Sequence, residues 1–239
     1  MPGFSVREQL REIPVKNILL IASGSGTDAT AIMRAWKLGA IPEVGKIVLL
    51  STREGAGCLT KAAENGAESF TIIPGSSPLN PSDAIEFQRK LSRLCRAHDI
   101  GLIFLVGCVV VLPLIEGIPM FNIHPACPLL HGGKKMYGLR VHEHVLLFHL
   151  DEIERGKKAL PSGDRFFTHP TVHEVTEKPD DGEFLLQGCV EIPKELLWDI
   201  QSGDILLTEG AMRLQKLVLP HEWMMLPAAV GMAIARIET

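Results

Sequence analysis

The stretch FNIHPACPLL, residues 121–130, closes an apolar run with an amide and an imidazole. Asn122 and His124 are two apart, so on an extended chain their side chains leave the same face. Such a pair could donate to an oxygen that gains negative charge during a reaction; the plainer reading is a loop amide beside a strand-end histidine. Downstream, VHEVTEKPDDG (172–182) reads as a strand followed by a carboxylate-rich loop, where Asp180 or Asp181 could act as a general base. GLRVHEHV puts His142 near the start of a helix, where it could orient another polar group. On a helix His142 and His149 share a face but His144 does not, which disfavours a zinc site built from all three. VGCVVVLP offers an apolar loop suited to a flat heteroaromatic ligand, or to plain core.

A second candidate lies earlier. NILLIA runs directly into SGSGTDATAIM, where Gly24 and Gly26 permit a tight turn and close backbone approach to a ligand. The helix that starts near Asp28 would aim free N–H groups at an anion. The spacing Gly24-x-Gly26-x-x-Ala29 also fits a dinucleotide fingerprint. The acidic residue expected about 20 positions on is missing, but Arg53 could receive a 2′-phosphate instead, so an NADP-binding oxidoreductase stays open. Asp28 cuts both ways: it suits the helix dipole and repels a phosphate at the same turn.

The elements that must position these residues can be read from the apolar pattern. NILLIA (17–22), KIVLLS (46–51), SFTIIP (69–74) and GLIFLV (101–106) are short continuous apolar runs, as expected of parallel strands covered on both faces. PMFNI (119–123) would be a fifth. Helical patterns fall at 28–38, 57–65 and 82–98, the last with Ser82 as its cap. The alternation predicts an α/β protein with an open, mostly parallel twisted sheet of Rossmann-like type and helices on both faces. Ligands of such sheets bind beyond the carboxyl ends of the strands, where the glycine turn and the Asn–His pair both fall. Further on, 126–137 reads as loop and 137–150 as helix. A polar stretch (151–165) follows, then strands at 171–175 and 183–192, and a closing helix near 221–236.

The 239 residues are 46% hydrophobic with a net charge of −4 and no basic block. One domain is expected: an extension (1–15), a nucleotide-binding-like half (16–125) and a second half (126–239) carrying the catalytic loop. Nucleic acid is not an expected partner. The most apolar stretch, 102–115, is too short to cross a bilayer, so no membrane is expected either. Five scattered cysteines without a CxxC pair fit reduced thiols and a cytoplasmic location. The first ten residues lack the apolar core of a signal peptide.

NIHP followed by GGKKMYGLRVHEHVL resembles the folate-dependent formyltransferases, and the resemblance runs from about residue 16 to 235. It takes in SGSGT, DIGLIFLVGC, TVHEVTEKPDDG and HEWMMLP. It implies transfer of a formyl group from 10-formyltetrahydrofolate to a primary amine, glycinamide ribonucleotide of purine synthesis first, with no metal. By the same resemblance Asn122, His124 and Asp180 form the catalytic trio, with His142 and His173 beside it. Gly24, Ser25, Gly26 and Thr27 cradle the acceptor's phosphate, and Glu222 contacts the acceptor. Cys108, Val109, Val110, Val111 and Leu112 line the pterin site, largely through backbone. The partners are then a small-molecule amine and folate, with a homo-oligomer left open. Asp28 stands where the family usually has Asn, a basic residue common shortly before the late glutamate is absent (Leu219 lies nearby), and Arg140 stands where His is common. Segments 151–169 and 193–215 diverge. An amino-sugar nucleotide is therefore an alternative acceptor.

Overall fold

The apolar runs of the first half form five parallel strands, β1 (Lys16–Ala22), β2 (Val44–Ser51), β3 (Glu68–Thr71), β4 (Ile100–Leu105) and β5 (Met120–His124). Helices α1 (Thr27–Lys37), α2 (Gly57–Glu64) and α3 (Pro81–Ala97) cross between the first four. The computed structural model describes residues 16–41, 43–75, 80–160 and 163–237; the predicted extension, 1–15, lies outside them. Beyond β5 come α4 (Pro128–His131), α5 (Leu139–Glu154), β6 (Phe166–Thr168), β7 (Thr171–Glu174), β8 (Phe184–Gln187), β9 (Val190–Ile192), α6 (Lys194–Ser202) and α7 (Leu207–Ile237). The main sheet has the order β3-β2-β1-β4-β5-β7-β8, with β7 and β8 antiparallel. Strands from both predicted halves thus belong to one sheet.

Alternate residues of β1 serve opposite faces, which explains its unbroken apolar run. Ile18 and Leu20 pack with Ile32 and Met33 of α1 and Val230 and Ala233 of α7. Leu19 and Ile21 pack with Phe87, Leu91 and Leu94 of α3 on the other side. A third cluster joins Val141 and Val145 of α5 to Phe166, Ile192, Leu197 and Leu214.

Several expectations need correction. Asn80, not Ser82, caps α3: its side-chain oxygen accepts the Asp83 N–H at 2.9 Å, and Pro81 fills the first helical position, which lacks an acceptor for an N–H. The run 183–192 is two strands rather than one. β8 stays in the main sheet, while β9 pairs with β6 in a separate two-stranded sheet. The break falls where Gly188 donates to the Pro170 carbonyl at 2.8 Å, and a Cβ at 188 would lie 2.6 Å from the Met225 sulfur. A short helix, α4, interrupts the predicted 126–137 loop, and α6 occupies a segment where no element was predicted.

The closing helix starts at Leu207, not near 221, and contains Pro220 and Pro227. Proline normally breaks a helix, but buried residues before, between and after the two (Leu214, Val218, Leu226, Val230) hold α7 against the core. By length and composition α7 could cross a membrane; in this fold its buried side packs on α1 and α5.

Candidate active site

The carboxyl ends of β1, β4 and β5 open on a cavity of about 960 Å³. Phe121 and Ile123 point into the core, so the alternation of β5 sends Asn122 and His124 the other way. Both line the cavity, and His124 is only 3% exposed.

Pairing with β7 sets Asn122 opposite His173. The Nδ1–H of His173 donates to the Glu174 carbonyl at 2.9 Å. Its Nε2 lies 3.2 Å from Asn122 Nδ2 and 3.5 Å from Asp180 Oδ1. In the neutral ring that nitrogen accepts from the amide, and a second amide hydrogen remains for a ligand.

Asp180 sits on the loop between β7 and β8 with φ at +59°. The left-handed region is costly for a side chain with Cβ, though Asp tolerates it better than most. Two contacts hold it there. Oδ2 accepts the Gly133 N–H at 2.8 Å, and Oδ1 faces His173 and, at 3.9 Å, His124 Nδ1. Burial alone would raise the Asp180 carboxyl; the neighbouring His173 and His124 rings and the Gly133 N–H together hold it below its ordinary value. Asp181, the other candidate base, does not line the cavity and pairs with Lys178 at 3.0 Å.

Burial lowers the pKa of His124, and Asp180 only partly offsets this. Its Nε2–H donates to the His131 carbonyl at 3.0 Å, so in the neutral ring Nδ1 is the free nitrogen, on the side of Asp180. His142 lines the same wall at 2% exposure, its Nδ1 without a hydrogen-bond partner among the described residues. Burial, then the charge of His124, pushes it down to about 4.

The glycine turn forms the next wall. Gly26 caps α1 at φ +73°, and a Cβ there would lie 2.5 Å from that of Cys58, so only glycine fits. No side chain caps α1, which leaves its first N–H groups facing the cavity. Ser23 ties this turn to the loop after β4: its N–H donates to the Gly107 carbonyl and its Oγ accepts from the Val109 N–H. Cys108, Val109, Val110, Val111 and Leu112 all line the cavity, as do Gly24, Ser25, Gly26 and Thr27.

From α7 come Gln215, Leu219 and Glu222, spaced four and three apart on one helical stripe. Glu222 is 4% exposed, and burial, with the charge of Asp28 adding, raises its carboxyl well above the usual range. Asp28 Oδ1 accepts the Trp223 indole N–H at 3.0 Å. Burial pushes the Asp28 carboxyl up to about 6, against the indole bond and Lys61. Lys134, Lys135 and Arg140 also line the cavity. The sequence reading missed Gln215, although its helical spacing to Glu222 could have signalled it, and missed Lys134 and Lys135. Arg53 is exposed and does not line the cavity, so the dinucleotide reading loses its only charged anchor. His144 is exposed against His131, and His149 bonds the Phe167 carbonyl, so neither shares a site with His142.

Comparison with known proteins bears on the family and the fold. A profile described as "Formyl transferase" matches residues 16–197. A phosphoribosylglycinamide formyltransferase of Arabidopsis thaliana is 29% identical over 191 residues, 76% of this chain and 59% of that protein. The chain thus spans about three-fifths of that relative's length. The phosphoribosylglycinamide formyltransferase of Saccharomyces cerevisiae is 25% identical over 190 residues, covering 73% of this chain and 82% of the yeast protein. Among solved structures, glycinamide ribonucleotide transformylase 1 from Symbiobacterium toebii superposes with a TM-score of 0.68 at 23% identity, over 97% of this chain and 93% of that one. That likeness speaks for the fold. The profile match covers well over half of the sequence, and the chain belongs to the formyl transferase family.

Proposed function

We propose that this chain transfers a formyl group from 10-formyltetrahydrofolate to a primary amine, with glycinamide ribonucleotide as acceptor. The observation that carries the reading is the convergence of Asn122, His124 and Asp180 on one cavity from one strand and a distant loop. The relatives' names support the choice of acceptor.

The pterin lies along the 108–112 loop, and the acceptor lies between the α1 turn and Glu222. The amine attacks the formyl carbon, and the carbonyl oxygen gains charge. Asn122 offers its second amide hydrogen to that oxygen. Nδ1 of His124 offers another once it carries a proton, and Asp180 beside it favours that charged form. The amine gives up a proton, through Asp180 or a water next to it. That proton ends on the folate nitrogen as its bond to the formyl carbon breaks. No covalent intermediate with the protein is needed.

The test is turnover with 10-formyltetrahydrofolate and glycinamide ribonucleotide. Asn122→Ala, His124→Ala and Asp180→Asn should each lower kcat by roughly 100- to 1,000-fold with near-normal melting. Asn is chosen at 180 because it tolerates the left-handed backbone there. Turnover close to wild type in all three variants would remove the mechanism.

A further inference from the structure

The acceptor end of the cavity holds two acids. Asp28 lies in the first turn of α1, directly after the Gly24–Thr27 turn, at 9% exposure. Glu222 lines the same cavity at 4% exposure and has no hydrogen bond or ion pair among the described residues. The indole of its neighbour Trp223 clamps Asp28, so α7 presses one carboxyl close to the other. Around Asp28 stand Lys61 from α2, Glu222 and Trp223 from α7, and the backbone of Gly107 after β4. Leu219 occupies the α7 turn before Glu222 and brings no charge. Two neighbouring buried carboxyls cannot both ionise cheaply, and Lys61 acts on Asp28 alone. A phosphate monoester seated at the turn would add about two more negative charges at neutral pH.

We propose that Asp28 meets the acceptor's phosphate in its protonated form and donates a hydrogen bond to a phosphate oxygen, so that acceptor binding takes up a proton from solution. This rests on the formyl-transfer reading for the acceptor's identity. It reconciles an open helix N-terminus, which attracts phosphate, with an acid in its first turn, which as a carboxylate would repel it. Burial raises the Asp28 carboxyl only to about 6, so above pH 7 the side chain is ionised before the acceptor binds and the proton must come from solution as the phosphate enters.

Calorimetric titration in buffers of different ionisation heat counts the protons. It is run between pH 7 and 8.5 with glycinamide ribonucleotide and with its dephosphorylated ribonucleoside, which cancels the ligand's own amino group. The ribonucleotide should take up about one proton more than the ribonucleoside, and its Kd should weaken, relative to the ribonucleoside's, by up to about tenfold per pH unit. Asp28→Asn, which keeps an oxygen for the Trp223 N–H, should erase the difference and tighten ribonucleotide binding at pH 8.5 by at least about tenfold. Equal proton uptake for the two ligands in the wild type overturns the inference, as does an unchanged difference in Asp28→Asn. No ribonucleotide binding at any pH, with formyl transfer to another amine intact, overturns it while leaving the transfer reading standing. Proton-linked ribonucleotide binding without formyl transfer does the reverse.

Discussion

At the scale of single residues, protonation decides what each group can do. The Asp180 carboxyl is pushed down and the Glu222 carboxyl up, although both are buried acids on one cavity. The difference is one of partners: Asp180 has an N–H and two imidazoles, whereas Glu222 has another carboxyl. Glu222 also carries a stability cost. A carboxyl whose pKa is raised by folding keeps a proton that the unfolded chain releases above about pH 4.5. Stability is therefore lost as pH rises from there. Glu222→Gln should raise the melting temperature at pH 8 and leave it nearly unchanged at pH 4.5; calorimetry showing equal shifts at both would refute this. The trio was legible in the sequence because NIHP fixes two of its members on one strand face. The choice of Asp180 over Asp181 came from the family resemblance alone, because it depends on a left-handed backbone that composition does not reveal.

At the scale of elements, the apolar runs were a sound guide wherever a strand is covered on both faces. They failed at 183–192, where a continuous pattern hides a change of sheet at Gly188, and at α7, where Pro220 and Pro227 look like breaks. In both places distant packing, from Met225 and from α1 and α5, overrides the local signal. Asn80 is a local signal that was misread by two positions; Asn80→Ala should destabilise the fold by about 1 kcal/mol in urea titration. A sharper test concerns the short α4. Gly132 follows it, and a Cβ there would lie 2.8 Å from that of Asp180 and 2.5 Å from the Pro128 carbonyl oxygen. Gly132 has ordinary extended backbone, so alanine strains no dihedral there and presses only on the Asp180 side chain and the Pro128 backbone. Gly132→Ala should displace the carboxylate and lower kcat by about 100-fold, with circular dichroism unchanged. Full activity would mean that the carboxylate's position is not critical.

At the scale of the whole molecule, buried histidines and buried acids pull stability in opposite directions with pH. Burial lowers the pKa of His124, His131, His142 and His149, His131 and His142 to about 4. Folded, they stay neutral below pH 6.5, where the unfolded chain would protonate them, so their contribution is full above 6.5 and lost as pH falls toward 4. The acids Asp28 and Glu222 have the reverse trend, which flattens the wild-type profile. Removing one acid should expose the histidine limb: Glu222→Gln should lose denaturant resistance more steeply than wild type between pH 6.5 and 4.5. Parallel profiles would argue against it. One bond also ties the segment after α4 to the β7–β8 loop at the cavity, the Gly133 N–H on an Asp180 oxygen. The 133–138 segment brings Lys134, Lys135 and Tyr137 to the rim, so a ligand that shifts the rim drags on the carboxylate. Attempts to retarget this protein by redesigning that rim will therefore alter its catalytic rate along with its selectivity, unless the tether is rebuilt at the same time.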